Sequence, residues 1–340
     1  MTDKHDDRSA LSRRLMVSAA GLGLAAAVTD PAAAQTPPPT AAAAATGQPL
    51  ADPRTKYPQP PFAKQSQPFP GLARDMTPRP DHGEASYRGS GRLAGRRALV
   101  TGGDSGMGRA AAIAFAREGA DVVINYLPAE EPDAQEVIAL IREAGRKGFA
   151  MPGDLRDEAF CRQLVASAVS QLGGLDIVVS NAARQQQHQS FLDLSSEDFD
   201  ATMKTNIYAP FWILKAAVPH MPPGSAIIAT TSEQAYDPTP ELYDYAQTKA
   251  ATMNFVKSLG KQLAPKGIRV NGVAPGPIWT PLQVSGGATM EKLEKFGGTT
   301  PLGRPGQPAE LASIYVQLAA SDASYATAQV YGAAGGSGQP

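Results

Sequence analysis

The stretch YDYAQTK holds Tyr243, Tyr245 and Lys249 within one or two helical turns. A free phenol has a pKa near 10 and carries protons poorly at neutral pH. A neighbouring ammonium favours the phenolate and lowers that value. Residues four apart share a helix face, so Lys249 can serve Tyr245 in this way and can also reach a cofactor ribose. Tyr243 lies two residues earlier and points away from that face. Tyr245 is therefore the candidate acid/base. The pair alone says little, because Tyr-x-x-x-Lys also occurs as an ordinary exposed helix pair.

Companions give it weight. Ser232 lies just past the apolar run AIIATTS, and Asn181 ends the run IVVSNAA. Both fall at the carboxyl edge of expected strands, where ligands of α/β folds bind. The Ser232 hydroxyl suits a substrate carbonyl. Asn206 sits in MKTNIYAPFW, inside a helical stretch where asparagine has modest propensity. A proton-relay water held by Asn206 would explain it.

The turn TGGDSGMG (101–108) joins a first apolar run to a helical one. Gly102, Gly106 and Gly108 are not spaced as GxGxxG, yet the position after the first strand suits a dinucleotide pyrophosphate. Asp104, Ser105 and Met107 complete that turn. The second run ends INYLPAEE, with Asn125 and Tyr126 at its tip. An acid there would hold the adenosine ribose of NAD. Without one, and with Arg109 near, the site tilts toward NADP over NAD. Glu130 and Glu131 read as a solvated turn. In GDL, Asp154 and Leu155 follow the third run. Asp154 either accepts from the adenine amine or caps the next helix.

These residues need a scaffold. RALVTGG, DVVINYL, GFAMPGDL, LDIVVSNAA, SAIIATTS, GIRVNGVAPGP and AQVYGAAGG read as strands. Helical periods follow glycine stops at about 107–118, 132–144, 158–172, 197–218, 242–263 and from 308. Strict alternation predicts an α/β fold, a single doubly wound parallel-sheet Rossmann domain over 92–340. The segment 281–298 is placed to act as a substrate lid.

Composition narrows the function. The 340 residues carry 31 basic and 32 acidic side chains, a net charge of −1, and 6% aromatics. Neither nucleic acid nor an anionic surface is expected as partner. Cys161 is the one cysteine, so no internal disulfide forms, and no Cys/His cluster has metal-ligand spacing.

The N-terminus differs. Arg13 and Arg14 precede an apolar run, 15–28, that is too short to span a bilayer, and a small-residue site follows at Ala34. Residues 1–34 read as an export signal of twin-arginine type, giving a periplasmic location; a start codon placed too early would leave the chain cytoplasmic. Residues 35–91 read as a linker and an extended arm, with Tyr57, Phe62, Phe69 and Met76 as anchors.

Together TGGDSGMG, SNAA (180–183), TTS (230–232), YAQTK (245–249) and PGPIWT (275–280) resemble the short-chain dehydrogenase/reductase family, from Arg92 to about Gly336. The resemblance implies Ser232, Tyr245, Lys249 and Asn206 as the catalytic group. It implies a cofactor floor at Asn181 and Ala182, and a nicotinamide wall running over Pro275, Gly276, Ile278 and Thr280. SNAA and VYGAAGG depart from the usual pattern at Ser180, at Ala183 and before the last glycines. The arm, INYLPAEEPDAQ and TSEQAYDPTPELYDYAQTK resemble a bacterial subgroup of aldehyde reductases and general oxidoreductases. That likeness implies a homotetramer and a carbonyl or alcohol substrate. A cofactor-binding sensor or scaffold without turnover, and an epimerase or dehydratase on the same fold, are the alternatives.

Overall fold

A computed structural model describes residues 50–337. The export signal, its cleavage site and the Pro/Ala-rich linker lie outside the described residues. One compact unit begins at Ala51 and takes in the arm and all the elements that follow.

The sheet is parallel, with order β3-β2-β1-β4-β5-β6-β7. Its strands are β1 (Arg97–Thr101), β2 (Asp121–Tyr126), β3 (Gly148–Pro152), β4 (Ile177–Ser180), β5 (Ala226–Thr230), β6 (Arg269–Pro275) and β7 (Val330–Ala333). The order reverses between β1 and β4, and the crevice for a ligand opens at that switch point. The register pairs Thr101 with Asn125 and Ser180 with Ala229, which brings the strand tips to one edge.

Helices α1 (Gly106–Arg117), α2 (Glu131–Glu143) and α9 (Pro308–Ala319) cover one face. On the other lie α3 (Glu158–Leu172), α5 (Ala209–Ala217) and α6 (Tyr243–Leu263), with α4 (Ser196–Met203) packed on α6. The two cores explain the composition of the elements. The buried positions of α1 run through Ala110–Ala116 without a gap. A helix apolar nearly all round is one packed on every side, and the alanines let it sit close to α9 and the sheet.

The helix expected over 197–218 is interrupted by a π-helical turn, Lys204–Tyr208. Pro210 has no N–H to give the Asn206 carbonyl four residues back, and Ala209 N–H reaches Lys204 O instead. The lid segment holds two short helices, α7 (Pro281–Ser285) and α8 (Met290–Glu294). Phe62 stacks on Trp279 at 4.5 Å, and Phe62, Met76, Trp279, Val284 and Leu293 form a third small core. Among the described residues no helix is long and apolar enough to cross a membrane.

Candidate active site

At the carboxyl edge lies a cleft of about 1100 Å³, counted to its open mouth. It draws its walls from the β1–α1 turn, the tips of β2 to β5, α6 and the segment after β6.

The β1–α1 turn can form because of its glycines. Gly102 has φ +59° and Gly106 +52°, in the left-handed region. A Cβ on Gly108 would sit 1.9 Å from the Gly102 carbonyl oxygen. The helix start thereby turns its first N–H groups and its dipole toward the cleft, as an anion requires. That cradle, which side chains at these glycines would fill or disrupt, fits a pyrophosphate.

A chain of hydrogen bonds ties the turn to α6. Asn181 Nδ2 donates to Gly102 O at 3.1 Å, and Thr230 Oγ1 donates to Asn181 Oδ1 at 3.0 Å. Lys249 Nζ donates to Thr230 O at 2.8 Å. Lys249 is buried and lies 5.3 Å from the centroid of the Tyr245 ring. Burial lowers its pKa to about 8. Two of its three N–H donors are left for a ligand.

Tyr245 is also buried, whereas Tyr243 is half-exposed and packs edge-on to Phe191. The expectation that Lys249 acidifies the phenol in the free protein does not hold. Burial pushes Tyr245 up to about 12, with the nearby Ser232 hydroxyl pulling down and Glu233 adding to the rise. The cost of placing a phenolate in a dry site dominates. Ser232 is buried two residues past β5, outside the lining of the cleft, and its hydroxyl accepts from Gln234 N at 3.1 Å.

Asn206 is placed differently from expectation. Its Oδ1 accepts from Arg184 N at 2.8 Å, and its Nδ2 donates to Arg184 O at 2.9 Å and Thr248 Oγ1 at 3.0 Å. The side chain braces the loop after β4 against α6 and does not line the cleft; its neighbour Thr205 does.

Of the cofactor candidates, Gly102, Asp104, Ser105, Gly106, Met107, Asn125, Tyr126, Asp154, Leu155, Asn181, Ala182, Tyr245, Lys249 and Thr280 line the cleft. Gly108, Pro275, Gly276 and Ile278 do not. Gly108 lies beneath the turn. Ile278 bridges to Gly306 and is buried against the α9 side, facing a second hollow. Gly276 backs onto Ala334. Several polar groups are already engaged: Asn125 Nδ2 with Met151 O and Gly153 O, and Tyr126 Oη with Glu131 at 2.7 Å. Asp154 pairs with Arg156, and Asp157 caps α3 in its stead.

Arg109 is not free to meet a 2′-phosphate. It is buried, 3.1 Å from Glu84 and 2.8 Å from Glu136. Nor is the cleft wall after β2 without acids. Glu130 lines the cleft, its carboxylate accepting from Leu127 N at 2.8 Å. Asp104 is buried, and its Oδ2 has no partner within the protein. Burial, with repulsion from Asp133, raises Asp104 to about 7, and burial, with repulsion from Asp104 and Asp133, raises Glu130 to about 8.

Two contributions were not foreseen. Glu130 looked like part of a solvated turn. Phe69, with Pro70 and Gly71, lines the cleft and is half-exposed, where Phe62 and Met76 of the same arm are buried as anchors. Among the described residues no group of acids, histidines and cysteine forms a metal site. Cys161 is buried, and burial raises it to about 12.

A family model described as enoyl-(acyl carrier protein) reductase matches residues 102–337. The chain is 57% identical over 287 residues to uncharacterized oxidoreductase YghA of Escherichia coli (strain K12), covering 84% of this chain and 98% of that one. Among solved structures, a short chain dehydrogenase from Burkholderia cenocepacia J2315 in complex with NADP is similar with TM-score 0.68 at 33% identity, over 72% of this chain and 98% of that one. The 3-ketoacyl-(acyl-carrier-protein) reductase from Brucella melitensis complexed with NADH gives 0.65 at 30%, with the same 72% and 98% covered.

Proposed function

We propose, for a chain that belongs to the short-chain dehydrogenase/reductase family, that this oxidoreductase uses Tyr245 to move the proton when a hydride passes between nicotinamide and a carbonyl or alcohol carbon. The observation that carries the reading is the continuous hydrogen-bond path from Gly102 through Asn181 and Thr230 to Lys249, which sets an anion cradle beside a buried phenol in one cleft. An aldehyde, a ketone or a sugar alcohol fits this chemistry.

A bound nicotinamide dinucleotide supplies or accepts the hydride. The residues do the rest. Tyr245 Oη donates its proton to the substrate oxygen in reduction, and the Ser232 hydroxyl steadies that oxygen. The raised pKa keeps Tyr245 protonated, as an acid must be. Lys249 turns its spare donors to the ribose near the ring. Ser105 to Met107 meet the pyrophosphate with main-chain N–H groups.

Cofactor choice follows from the adenosine end. Asp104 and Glu130 accept from ribose hydroxyls and repel a 2′-phosphate. With Arg109 engaged in ion pairs, the balance favours NADH over NADPH. Both carboxyls gain charge as pH climbs through about 7 and 8, so the preference widens on the alkaline side.

The exposed rings of Tyr208 and Phe211 on α5 and the preceding turn, beside Trp212 and Phe255, suit a second copy of the chain in a homotetramer. Arg13 and Arg14 ahead of an apolar run suit periplasmic delivery of an already folded chain.

The test is kcat/KM for a panel of aldehydes and sugars with NADH and NADPH at pH 6.5 and 8.5, alongside Glu130→Gln. Turnover with a preference for NADH that grows with pH, and shrinks in the variant, is expected. No turnover with either cofactor removes the enzymatic reading, and a preference for NADPH removes the reading of Glu130.

A further inference from the structure

The arm does more than cover apolar surface. Gln67 N–H donates to Val284 O of α7 at 2.9 Å. Six residues on, Ala73 N–H donates to Asp133 Oδ2 of α2 at 2.5 Å. One rim of the cleft belongs to the segment after β6, the other to the segment after β2. The stretch 67–73 therefore runs from rim to rim. Its middle is held as a closed loop: the Gln67 side chain accepts from Leu72 N at 2.6 Å and donates to Leu72 O at 3.1 Å. Gly71 comes so near α7 that a Cβ would lie 3.1 Å from Ser285 Cβ.

At the crown of this loop Phe69 presents its ring to the cleft, 50% exposed. Within the same arm Phe62 is 6% and Met76 3% exposed. A large apolar side chain fixed at the mouth of a cleft, on a loop tied at both ends, gains burial only when something fills the cleft. Across from it lies the β1–α1 turn, where Gly106 nearly meets Thr280. A dinucleotide stretched from Glu130 to Tyr245 has to pass between.

We propose that residues 67–73 are a strap that slows the exchange of the nicotinamide dinucleotide after each turnover, with Phe69 packed on the bound cofactor. The inference rests on the cofactor reading above. Its consequence is that the cofactor leaves only when the strap or α7 lifts. Release of the spent cofactor then limits kcat.

The experiment uses the full chain and NADH fluorescence. Dissociation of NADH is followed by displacement with excess NAD in the wild type, Phe69→Ala, Phe69→Leu and Gln67→Ala. Losing the ring contact speeds dissociation roughly tenfold or more in Phe69→Ala. Phe69→Leu recovers part of the loss. Gln67→Ala, which opens the loop without touching the cleft, also dissociates faster. KM for the cofactor rises and kcat increases, whereas an unchanged kcat overturns release as the limiting step. Unfolding temperatures of the cofactor-free Phe69 variants stay within about 2 °C of wild type, because a half-exposed ring contributes little to the fold. NADH binding with unchanged dissociation in Phe69→Ala overturns the strap and leaves the cofactor reading standing. Failure of the wild type to bind NADH or NADPH overturns both.

Discussion

Replacing Tyr245 by Phe removes one hydroxyl and keeps what holds the ring. The residue is 6% exposed, and its ring stays 5.3 Å from the Lys249 ammonium, which remains bonded to Thr230 O. Losing the contact to Ser232 costs about 1 kcal/mol of stability, so the variant folds and binds NADH. Activity falls much further. A positioned general acid contributes roughly 10²–10⁴-fold, or about 2.7–5.5 kcal/mol of barrier. Burial keeps bulk water from standing in for the phenol, which places the expected loss near the upper end. The direction of the pKa shift adds a second signature. With Tyr245 raised to about 12, the acid form persists through neutral pH, and the reduction rate is flat there. Oxidation needs the phenolate, so its rate climbs by about tenfold per pH unit and bends near 8, where Lys249 loses its charge. Single-turnover nicotinamide absorbance with an accepted aldehyde or alcohol reads both. Tyr243→Phe is the control and keeps full activity, since that ring is 47% exposed and outside the cleft. A Tyr245→Phe rate within tenfold of wild type, or an equal loss in Tyr243→Phe, refutes the assignment.

Lys249→Met raises the stability of the cofactor-free protein at pH 7 and weakens NADH binding by tenfold or more. Burial moves the lysine from 10.5 to about 8, so its charged form costs about 3 kcal/mol. The native state binds fewer protons than the unfolded one between those values, so wild-type stability rises with pH there, and urea denaturation shows whether the variant lacks that slope. Gly108→Ala forces a methyl to within 1.9 Å of Gly102 O and 2.6 Å of Asn181 Nδ2; backbone must shift, and a loss of about 1–3 kcal/mol together with NADH binding is expected by urea denaturation and titration. Phe211→Glu, on the exposed aromatic face, lowers the assembled mass in light scattering while Tyr245 chemistry per folded chain persists.

How much of this was legible in the sequence depends on how local the signal is. The strands and the helix Tyr243–Leu263 follow from periodicity and glycine stops, and their alternation implied the parallel sheet whose carboxyl edge bears the cleft. Position after the first strand marked the cradle at 102–108 although its glycine spacing was irregular. The break at Lys204–Tyr208 was missed because a single proline in a strongly apolar helix reads as tolerable until its missing N–H is counted. The charge of Arg109 was misread because its partners are remote: Glu84 precedes it by 25 residues and Glu136 follows by 27. Glu130 and Tyr245 show a related limit. Their proton affinities are set by burial, which no pattern of neighbours in the chain displays.

The arm and the cofactor cradle are one electrostatic problem. Asp104, Glu130 and Asp133 gather acid on the β2 side of the cleft, and Arg109, buried in the first turns of α1, is the cation set among them. A buried guanidinium needs carboxylates, and losing one partner of such a group costs about 3–5 kcal/mol. Glu136 supplies one from α2, while Glu84 comes from the arm. Glu84 in turn holds His82 through Nδ1 at 2.9 Å, and that ring is wholly buried, which keeps it neutral. Asp133 is satisfied by the main-chain N–H groups of Ala73 and Arg74, again from the arm. The helix that must point its N-terminus at a pyrophosphate thus has its charge balanced by residues that precede the first strand. An arm without periodicity of its own is, on this reasoning, a structural part of the nucleotide site, and the strand-and-helix domain from Arg92 onward is incomplete without it.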